Sequence, residues 1–515
     1  MSDQIFNITT PIYYVNGPPH IAHAYTSVNS DVIARFMRLD GRKVWFVTGT
    51  DEHGQKVAQA ARAEGCEPLE FCDRISARFQ DMNRLMNISH DDFIRTTEPR
   101  HKNAVRAMWE KLKASGYIYE GVFAGWYSVR DEQFFDEAEL VDGQAPTGAP
   151  VEWVEERNLF FRLSAFGEAL LEFYDSHPDF IAPASRRNEV VGFVREGLRD
   201  LSISRASFDW GIPVPGHPGQ VTYVWLDALL NYATSAGYPD SLAANGVWPA
   251  DVHVVGKDII RFHCVFWPAF LMAADLPLPK RVFAHGWWTV EGEKMSKSLD
   301  NFIPPERLTE RFGVDGVRFF LVREMAFGAD GDMTEVALQR RIVGELGNEF
   351  GNLAHRTLTM IARYCDGRTP APGVLTAQDE ALLAQAAAML PALRLQFGEQ
   401  ALQAATQVIW NVVGAANKYL QDEAPWTRAK GDPDRLKTIL HVAAETLRRL
   451  ALVLQPFVPD AAANLLDQLG VGPQARSFAS FDQALVAGAP LPDPRVLFPR
   501  PESAPPPAGA MPSPM

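Results

Sequence analysis

Apolar and polar positions follow two different periods along the first half of the chain. Ile5–Thr9 is a short β-branched run ahead of the turn Asn16-Gly17-Pro18-Pro19 and reads as a strand. From Ile21, the residues Tyr25, Val28, Val32 and Phe36 recur at helical spacing as far as Asp40-Gly41, and Val44–Thr48 is a second strand. A strand, a helix and a strand within about 45 residues make a βαβ unit, which implies a parallel sheet with a right-handed crossover. Val252–Val255 and Arg281–His285 are further buried-strand candidates, each followed by Gly and polar residues. The α/β pattern therefore resumes after residue 220.

Between these parts, about Tyr117 to Asp209, the pattern is less regular, as in "WYSVRDEQFF" and "PVEWVEERNLFFRLS". It reads as an α+β module inserted into the parent sheet. From about Thr334 the strands stop, and Ala- and Leu-rich helical stretches follow at 335–364, 376–395, 398–422, 433–455 and 458–469. The expected division is 1–116 for the first half of a Rossmann-type α/β catalytic domain, 117–209 for the insert and 210–333 for the second half. A helical domain at 334–487 and a proline-rich tail at 488–515 complete it. The last stretch is so rich in proline that it is expected to be disordered. No internal repeat stands out.

Composition narrows the class. The 515 residues are 47% hydrophobic and 22% charged, which excludes disorder as the main state and leaves room for a large core. Cys66, Cys72, Cys264 and Cys365 form no C-x-x-C pair, so a cysteine zinc knuckle is excluded and a disulfide framework is not expected. The start of the chain lacks the basic and apolar regions of a signal peptide, and the longest apolar run, Cys264–Ala274, is too short to span a bilayer. The expected setting is the cytoplasm, with no membrane contact. A net charge of −14 speaks against a general nucleic-acid coat but not against a local basic track.

Two pieces carry candidate chemistry. His20 and His23, in "HIAH", share one face of a helix's first turn, where unpaired N–H groups make an anion site. Two imidazoles there can donate hydrogen bonds to a phosphate without adding full charge; taken alone, the pair fits capping or surface histidines better. The segment Glu291–Ser298, "EGEKMSKS", carries Lys294 and Lys297 on a polar loop, which suits neutralising the charge that develops on departing pyrophosphate. Taken alone, it also fits a solvated charged loop. Both pieces fall at carboxyl ends of parallel strands, where open α/β sheets bind ligands.

"HIAH" and "KMSKS", in that order, resemble the two signatures of class I aminoacyl-tRNA synthetases. "PIYYVNGPPHIAHAY", "FVTGTDEHGQK", "YVWLDALLNY", "GKDIIRFHCVFWPAFL" and "AHGWWTVEGEKMSKSLDN" are similar to the methionyl-tRNA synthetase family over about residues 5–500. Ala22 stands where the first signature has glycine, which loosens the backbone approach slightly. The resemblance implies ATP, with Mg²⁺, as a substrate alongside L-methionine and tRNA(Met), including the initiator tRNA. It implies that His20, His23, Lys294 and Lys297 bind the phosphates and stabilise the transition state, that Asp258 accepts from the ribose hydroxyls of ATP, and that Asp51 holds the substrate ammonium. Ile12, Tyr14, Trp225, Ala228, Tyr232, Ile259, His263 and Trp267 would form the side-chain pocket. Tyr14 and His263 would add polar reading of the sulfur, since shape alone separates neighbours differing by a methylene by about 1–3 kcal/mol.

In the helical domain, Asn352 and Arg356 are four apart and so share a helix face, and Trp426 follows a helix end. The resemblance makes them readers of the CAU anticodon, with the indole stacking an unpaired base. The adjacent Arg340 and Arg341 fit either backbone contacts or a solvated helix face. No structural zinc is expected, and the missing C-terminal dimerising domain of some relatives points to a monomer. Three rivals are weaker. A synthetase for leucine, isoleucine or valine would carry a larger editing insert between His20 and Lys294. A small-molecule nucleotidyltransferase would have no use for the helical domain. A non-enzymatic tRNA binder would be expected to have lost the ATP motifs.

Overall fold

The computed structural model describes residues 5–130, 133–135, 137–242, 246–294 and 302–499. The chain divides into two compact units. One is drawn from the residues up to Pro19, Lys43–Arg84 and Ser89–Gly286, the other from His20–Arg42, Leu85–Ile88 and the residues from Trp287 on.

The first unit is built on a seven-stranded sheet in which every pairing is parallel. Phe6–Thr9 lies at its centre, with Val44–Asp51 on one side and Val252–Gly256 on the other; Val282–His285 and Ile181–Ala182 continue outward beyond the latter. Tyr13–Tyr14 and Asp92–Arg95 both pair with Val44–Asp51. Ile8 pairs with Phe46 and with Val252, and its side chain is fully buried. Phe6–Thr9, Val44–Asp51, Val252–Gly256 and Val282–His285 are the strands that the β-branched and aromatic runs of the sequence predict. Gly49 has a steric reason: a Cβ there would stand 2.0 Å from the carbonyl oxygen of Ile94 on the neighbouring strand.

The inserted module forms an antiparallel sheet of Gln133–Phe135, Ile118–Ser128, Glu152–Phe161 and Leu201–Ser202, with helices Gly167–Ser176 and Ala184–Arg195. The segment between those helices departs from the expected separation, because Ile181–Ala182 joins the parent parallel sheet beside Val282–Phe283. Two short apolar residues carry too little pattern to show this. Trp109, Phe161, Trp267 and Phe270 belong to the apolar cluster that fills this unit.

In the second unit the helix Ile21–Leu39 buries Ile21, Tyr25, Val28, Val32 and Phe36, the face its spacing predicts. Phe36 stacks on Phe397 at 3.7 Å, and Tyr25 meets Trp288 edge-on at 5.6 Å. Trp288–Val290 pairs with Gly331–Met333 and with Glu293–Lys294 in a small sheet. Beyond Thr334, whose hydroxyl caps the next helix by accepting from the Ala337 N–H, the unit is helical. The stretch expected to be one α-helix over 335–364 instead widens into a π winding over Gln339–Gly351 before Asn352–Tyr364. Gly344, Gly347 and Gly351 lie within it. Expected helices at 376–395 and 398–422 resolve into Ala377–Ala387, Met389–Gly398 and Leu402–Glu423, and Pro433–Leu454 and Pro459–Gln468 follow. The tail residues 500–515 lie outside the described residues.

A buried cation ties this unit together. The Arg318 guanidinium is fully buried and donates to Asp31 Oδ2 on the Ile21–Leu39 helix at 2.7 Å, and to the carbonyls of Met86 and Pro456 at 2.8 Å each. Removing one partner of such a pair leaves an uncompensated buried charge, at a cost of about 3–5 kcal/mol. Asp315, one turn earlier, accepts from the Ala461 N–H at 2.6 Å and so caps the helix Pro459–Gln468. Burial pushes the Asp315 carboxyl up to about 6 from 3.8, against the lowering effect of that N–H. The folded chain thus holds this proton more tightly than the unfolded one. The associated stability is present below about pH 4 and is lost as pH rises through about 6. Asp315→Asn keeps the acceptor and removes the charge. Urea unfolding is expected to show the variant equal to the parent near pH 4 and more stable by about 2–3 kcal/mol at pH 7. A pH-independent difference would contradict this.

Candidate active site

In the first unit, the order of strands reverses between Phe6–Thr9 and Val252–Gly256, and an open parallel sheet binds ligands just beyond the carboxyl ends at such a point. Ile12 and Tyr14 follow the first of these strands, Lys257–Ile259 follow the second, and Asp51 is the last residue of Val44–Asp51. Asp51 is 9% exposed, and its carbonyl accepts from the Val15 N–H. Asp258 is exposed. A Cβ on Gly256 would stand 2.6 Å from Asp258 Oδ1 and 3.8 Å from the His285 ring, so the absent side chain leaves room for these two groups at adjacent strand ends.

The aromatic residues form a connected set. Trp225, half-buried, stacks on Phe262 at 3.7 Å; Tyr232 and Trp267 are buried with ring centroids 6.1 Å apart. Ala228 is buried beside them in the helix Val224–Leu229. Tyr232 donates its hydroxyl proton to His263 Nε2 at 2.7 Å, and His263 Nδ1–H donates to the Ile259 carbonyl at 2.9 Å. Burial pushes the His263 imidazole down to about 4 and the Tyr232 phenol up, so both stay neutral at physiological pH. Both nitrogens of His263 are thereby engaged. In this arrangement His263 braces Tyr232.

In the second unit, His20 is the residue before the helix Ile21–Leu39, and its backbone N–H donates to His23 Nδ1 at 3.1 Å. The two rings lie 3.9 Å apart. Burial first, and then His20, hold His23 well below its ordinary 6.5. With Nδ1 accepting, the proton of the neutral ring sits on Nε2. Phe302 packs on His20 at 4.6 Å, and the Ile21 N–H donates to the Ile303 carbonyl at 3.0 Å. The described residues after the lysine segment, Phe302 and Ile303, thus lie beside the histidine turn. Its start, Lys294, closes the strand Glu293–Lys294 against Thr289. The side chain of Lys294 and the whole of Lys297 lie outside the described residues.

Farther along the same unit, Asn352 is exposed at the start of its helix. The Arg356 guanidinium lies 5.8 Å from the centre of the Trp426 ring, a cation–π contact, and Trp426 is 48% exposed. Ala424, in the left-handed region at φ +42°, turns the chain between Leu402–Glu423 and Pro425–Arg428 and so sets that ring. Arg340 is paired with Glu324, and Arg341 with Glu324 and Glu345, so neither is an uncommitted cation. Among the described residues no group of His, Cys, Asp and Glu is arranged to hold a metal ion, and no helix is long and apolar enough to cross a membrane.

The family described as "tRNA synthetases class I (M)" matches residues 6–150 and 145–358, and the "Anticodon binding domain of methionyl tRNA ligase" matches 369–503. The chain belongs to the methionyl class I tRNA synthetases. It is 53% identical over 502 residues to the methionine--tRNA ligase of Rickettsia felis, covering 96% of this chain and 98% of that one. It is 52% identical over 505 residues to that of Rhizobium meliloti, with the same coverage. The Mycobacterium tuberculosis methionyl-tRNA synthetase in complex with methionyl-adenylate superposes with a TM-score of 0.95 at 50% identity, covering 96% of this chain and all of that one. Its apo form gives 0.88 at 47%.

Several residues of this synthetase escape sequence reasoning. Glu52, next to Asp51, is fully buried; Arg95 binds its carboxylate at 2.7 and 3.1 Å, and Thr50 and Thr97 add hydroxyl bonds. His53 donates Nδ1–H to Asp227 Oδ2 at 2.6 Å, and His101 donates Nε2–H to Asp227 Oδ1 at 2.7 Å. Burial works to raise the Asp227 pKa, but the attraction of His53 and the two imidazole bonds hold it at about 2. The adjacent "DEH" marks a dense polar cluster, yet nothing local tells which acid faces a ligand and which is spent on distant partners.

Proposed function

We propose that the chain, in the cytoplasm and as a monomer, activates L-methionine with magnesium-bound ATP and transfers it to the 3′ end of tRNA(Met), initiator tRNA included. A methionine carboxylate oxygen attacks the α-phosphorus, the bond to pyrophosphate breaks, and methionyl-adenylate forms. A hydroxyl of the terminal adenosine then attacks the acyl carbon, and AMP leaves. Neither step needs a covalent enzyme intermediate, so the work of the protein is orientation and charge stabilisation.

In this reading Asp51 binds the ammonium, and Ile12, Tyr14, Trp225, Ala228, Tyr232, Ile259, His263 and Trp267 enclose the thioether chain. Asp258 takes the ribose hydroxyls; His20 and His23, with Lys294 and Lys297, take the phosphates. No structural zinc is required. One observation supports the phosphate assignment above the rest: the Ile21 N–H bonds Ile303 at 3.0 Å, so the chain a few residues past the lysine segment lies at the histidine pair. Neutral His23 suits the role, since it donates from Nε2 without trapping the leaving group as a full counter-ion. Asn352, Arg356 and Trp426 read the anticodon, the indole already held by the guanidinium at 5.8 Å. The methionyl-adenylate bound by the Mycobacterium tuberculosis synthetase is the product of the first step.

The two half-reactions separate in variants. Lys297→Ala is expected to lower methionine-dependent ATP–pyrophosphate exchange about 100-fold or more while tRNA affinity stays nearly unchanged. Unchanged exchange would refute the role of Lys297. Trp426→Ala is expected to lower kcat/KM for tRNA charging about 10- to 100-fold and to spare exchange. Wild-type charging by this variant would remove Trp426 from anticodon reading.

A further inference from the structure

Two buried imidazoles from distant parts of the first unit meet at one buried carboxylate. Asp227 sits in the helix Val224–Leu229, between Trp225 and Ala228, and is fully buried. Its Oδ2 accepts from His53, two residues past Asp51, at 2.6 Å; its Oδ1 accepts from His101, on the helix Pro99–Ala114, at 2.7 Å. His101 Nδ1 lies 3.2 Å from Thr234 Oγ1, whose own proton goes to the Leu230 carbonyl at 2.8 Å. The Asp227 carboxylate therefore has an imidazole N–H on each of its oxygens. A buried charge balanced in this way holds its neighbours firmly, because any displacement leaves a charge unpaired in a low-dielectric interior.

The segment that follows Asp51 is pinned on its other sides as well. The Trp210 indole N–H donates to the Glu52 carbonyl at 2.6 Å, the Trp210 carbonyl accepts from the Gly54 N–H at 3.0 Å, and the Trp210 ring meets His53 edge-on at 5.5 Å. Cys72 Sγ–H also points to the Glu52 carbonyl, at 3.4 Å. Among these bonds, those through Asp227 are the ones that join the Asp51 segment to the helix carrying Trp225 and Ala228.

We infer that Asp227, through His53 and His101, is a positioning residue for amino-acid recognition, fixing the Asp51 carboxylate relative to the pocket wall formed by Trp225 and Ala228. The inference rests on the reading in which Asp51 receives the substrate ammonium and that helix lines the side-chain pocket. On this account the distance between the ammonium site and the thioether site is set by a doubly hydrogen-bonded carboxylate that touches neither. A group that merely stabilised the core would leave the discrimination between ligands untouched.

The test compares methionine with its desamino analogue, 4-(methylthio)butanoate, as competitors in ATP–pyrophosphate exchange. In Asp227→Asn the KM for methionine is expected to rise roughly 10- to 100-fold with the KM for ATP unchanged. The preference for methionine over the desamino analogue is expected to shrink by a similar factor. His53→Ala is expected to do the same. His53→Asn, whose side-chain N–H can take the place of Nδ1–H, restores the methionine KM to within about threefold, well inside the loss expected from displacing the site. Folded variants with a parental methionine KM and a parental preference would overturn the inference, as would His53→Asn behaving like His53→Ala. Asp51→Asn is the control for the underlying reading. If it leaves the preference for the ammonium-bearing ligand intact, the assignment of Asp51 fails, whereas a collapse in Asp51→Asn without one in Asp227→Asn or His53→Ala overturns the positioning role alone.

Discussion

Parallel hydrogen bonding has one polarity, and in the first unit that constraint decides which residues can meet. Phe6–Thr9 pairs with Val44–Asp51 on one side and with Val252–Gly256 on the other, and Val282–His285 extends the same ladder. All of these strands must therefore end at the same edge. Asp51, Asp258 and His285, scattered through the first three hundred positions, arrive together because each stands at or just beyond a carboxyl end. The edge leaves backbone N–H and C=O groups without a continuing strand, and the chain fills the space with ionisable and aromatic side chains. The assigned methionine site follows from the ladder more than from any single motif.

Buried charge is managed alike in the two units. In the first, Asp227 is answered by two imidazoles and Glu52 by Arg95 with two threonine hydroxyls. In the second, Arg318 is answered by Asp31 and by backbone carbonyls at helix ends. Such networks are poor sources of net stability, since desolvation offsets most of the attraction, but they are intolerant of displacement. That intolerance suits an enzyme whose task is orientation. Catalysis without a covalent intermediate leaves geometry as the main source of rate, and small errors in placement are expensive.

Much of the architecture was legible in the sequence because it depends on local period. The strand at Phe6–Thr9 and the helix at Ile21–Leu39 followed from β-branched runs and from the spacing of Ile21, Tyr25, Val28, Val32 and Phe36. The switch from α/β to all-helical at Thr334 was visible as a change of composition and carries a hydroxyl cap at that residue. What local pattern does not carry was missed. Ile181–Ala182 is too short to announce its strand partner. The π winding over Gln339–Gly351 keeps an apolar spacing compatible with an ordinary helix. The partners of Asp227 lie 174 and 126 positions away, and no period connects them. Nor does any local pattern show that both nitrogens of His263 are bonded, to Tyr232 and to the Ile259 carbonyl.

The central claim is that this edge of the sheet selects one amino acid, holding its ammonium at Asp51 and its side chain among Trp225, Tyr232 and Trp267. ATP–pyrophosphate exchange measured in turn with each of the common amino acids tests it most directly. The account predicts rapid exchange with L-methionine and only trace exchange with the others. Equal or faster exchange with leucine, isoleucine or valine, or none with methionine in a folded preparation, would contradict it.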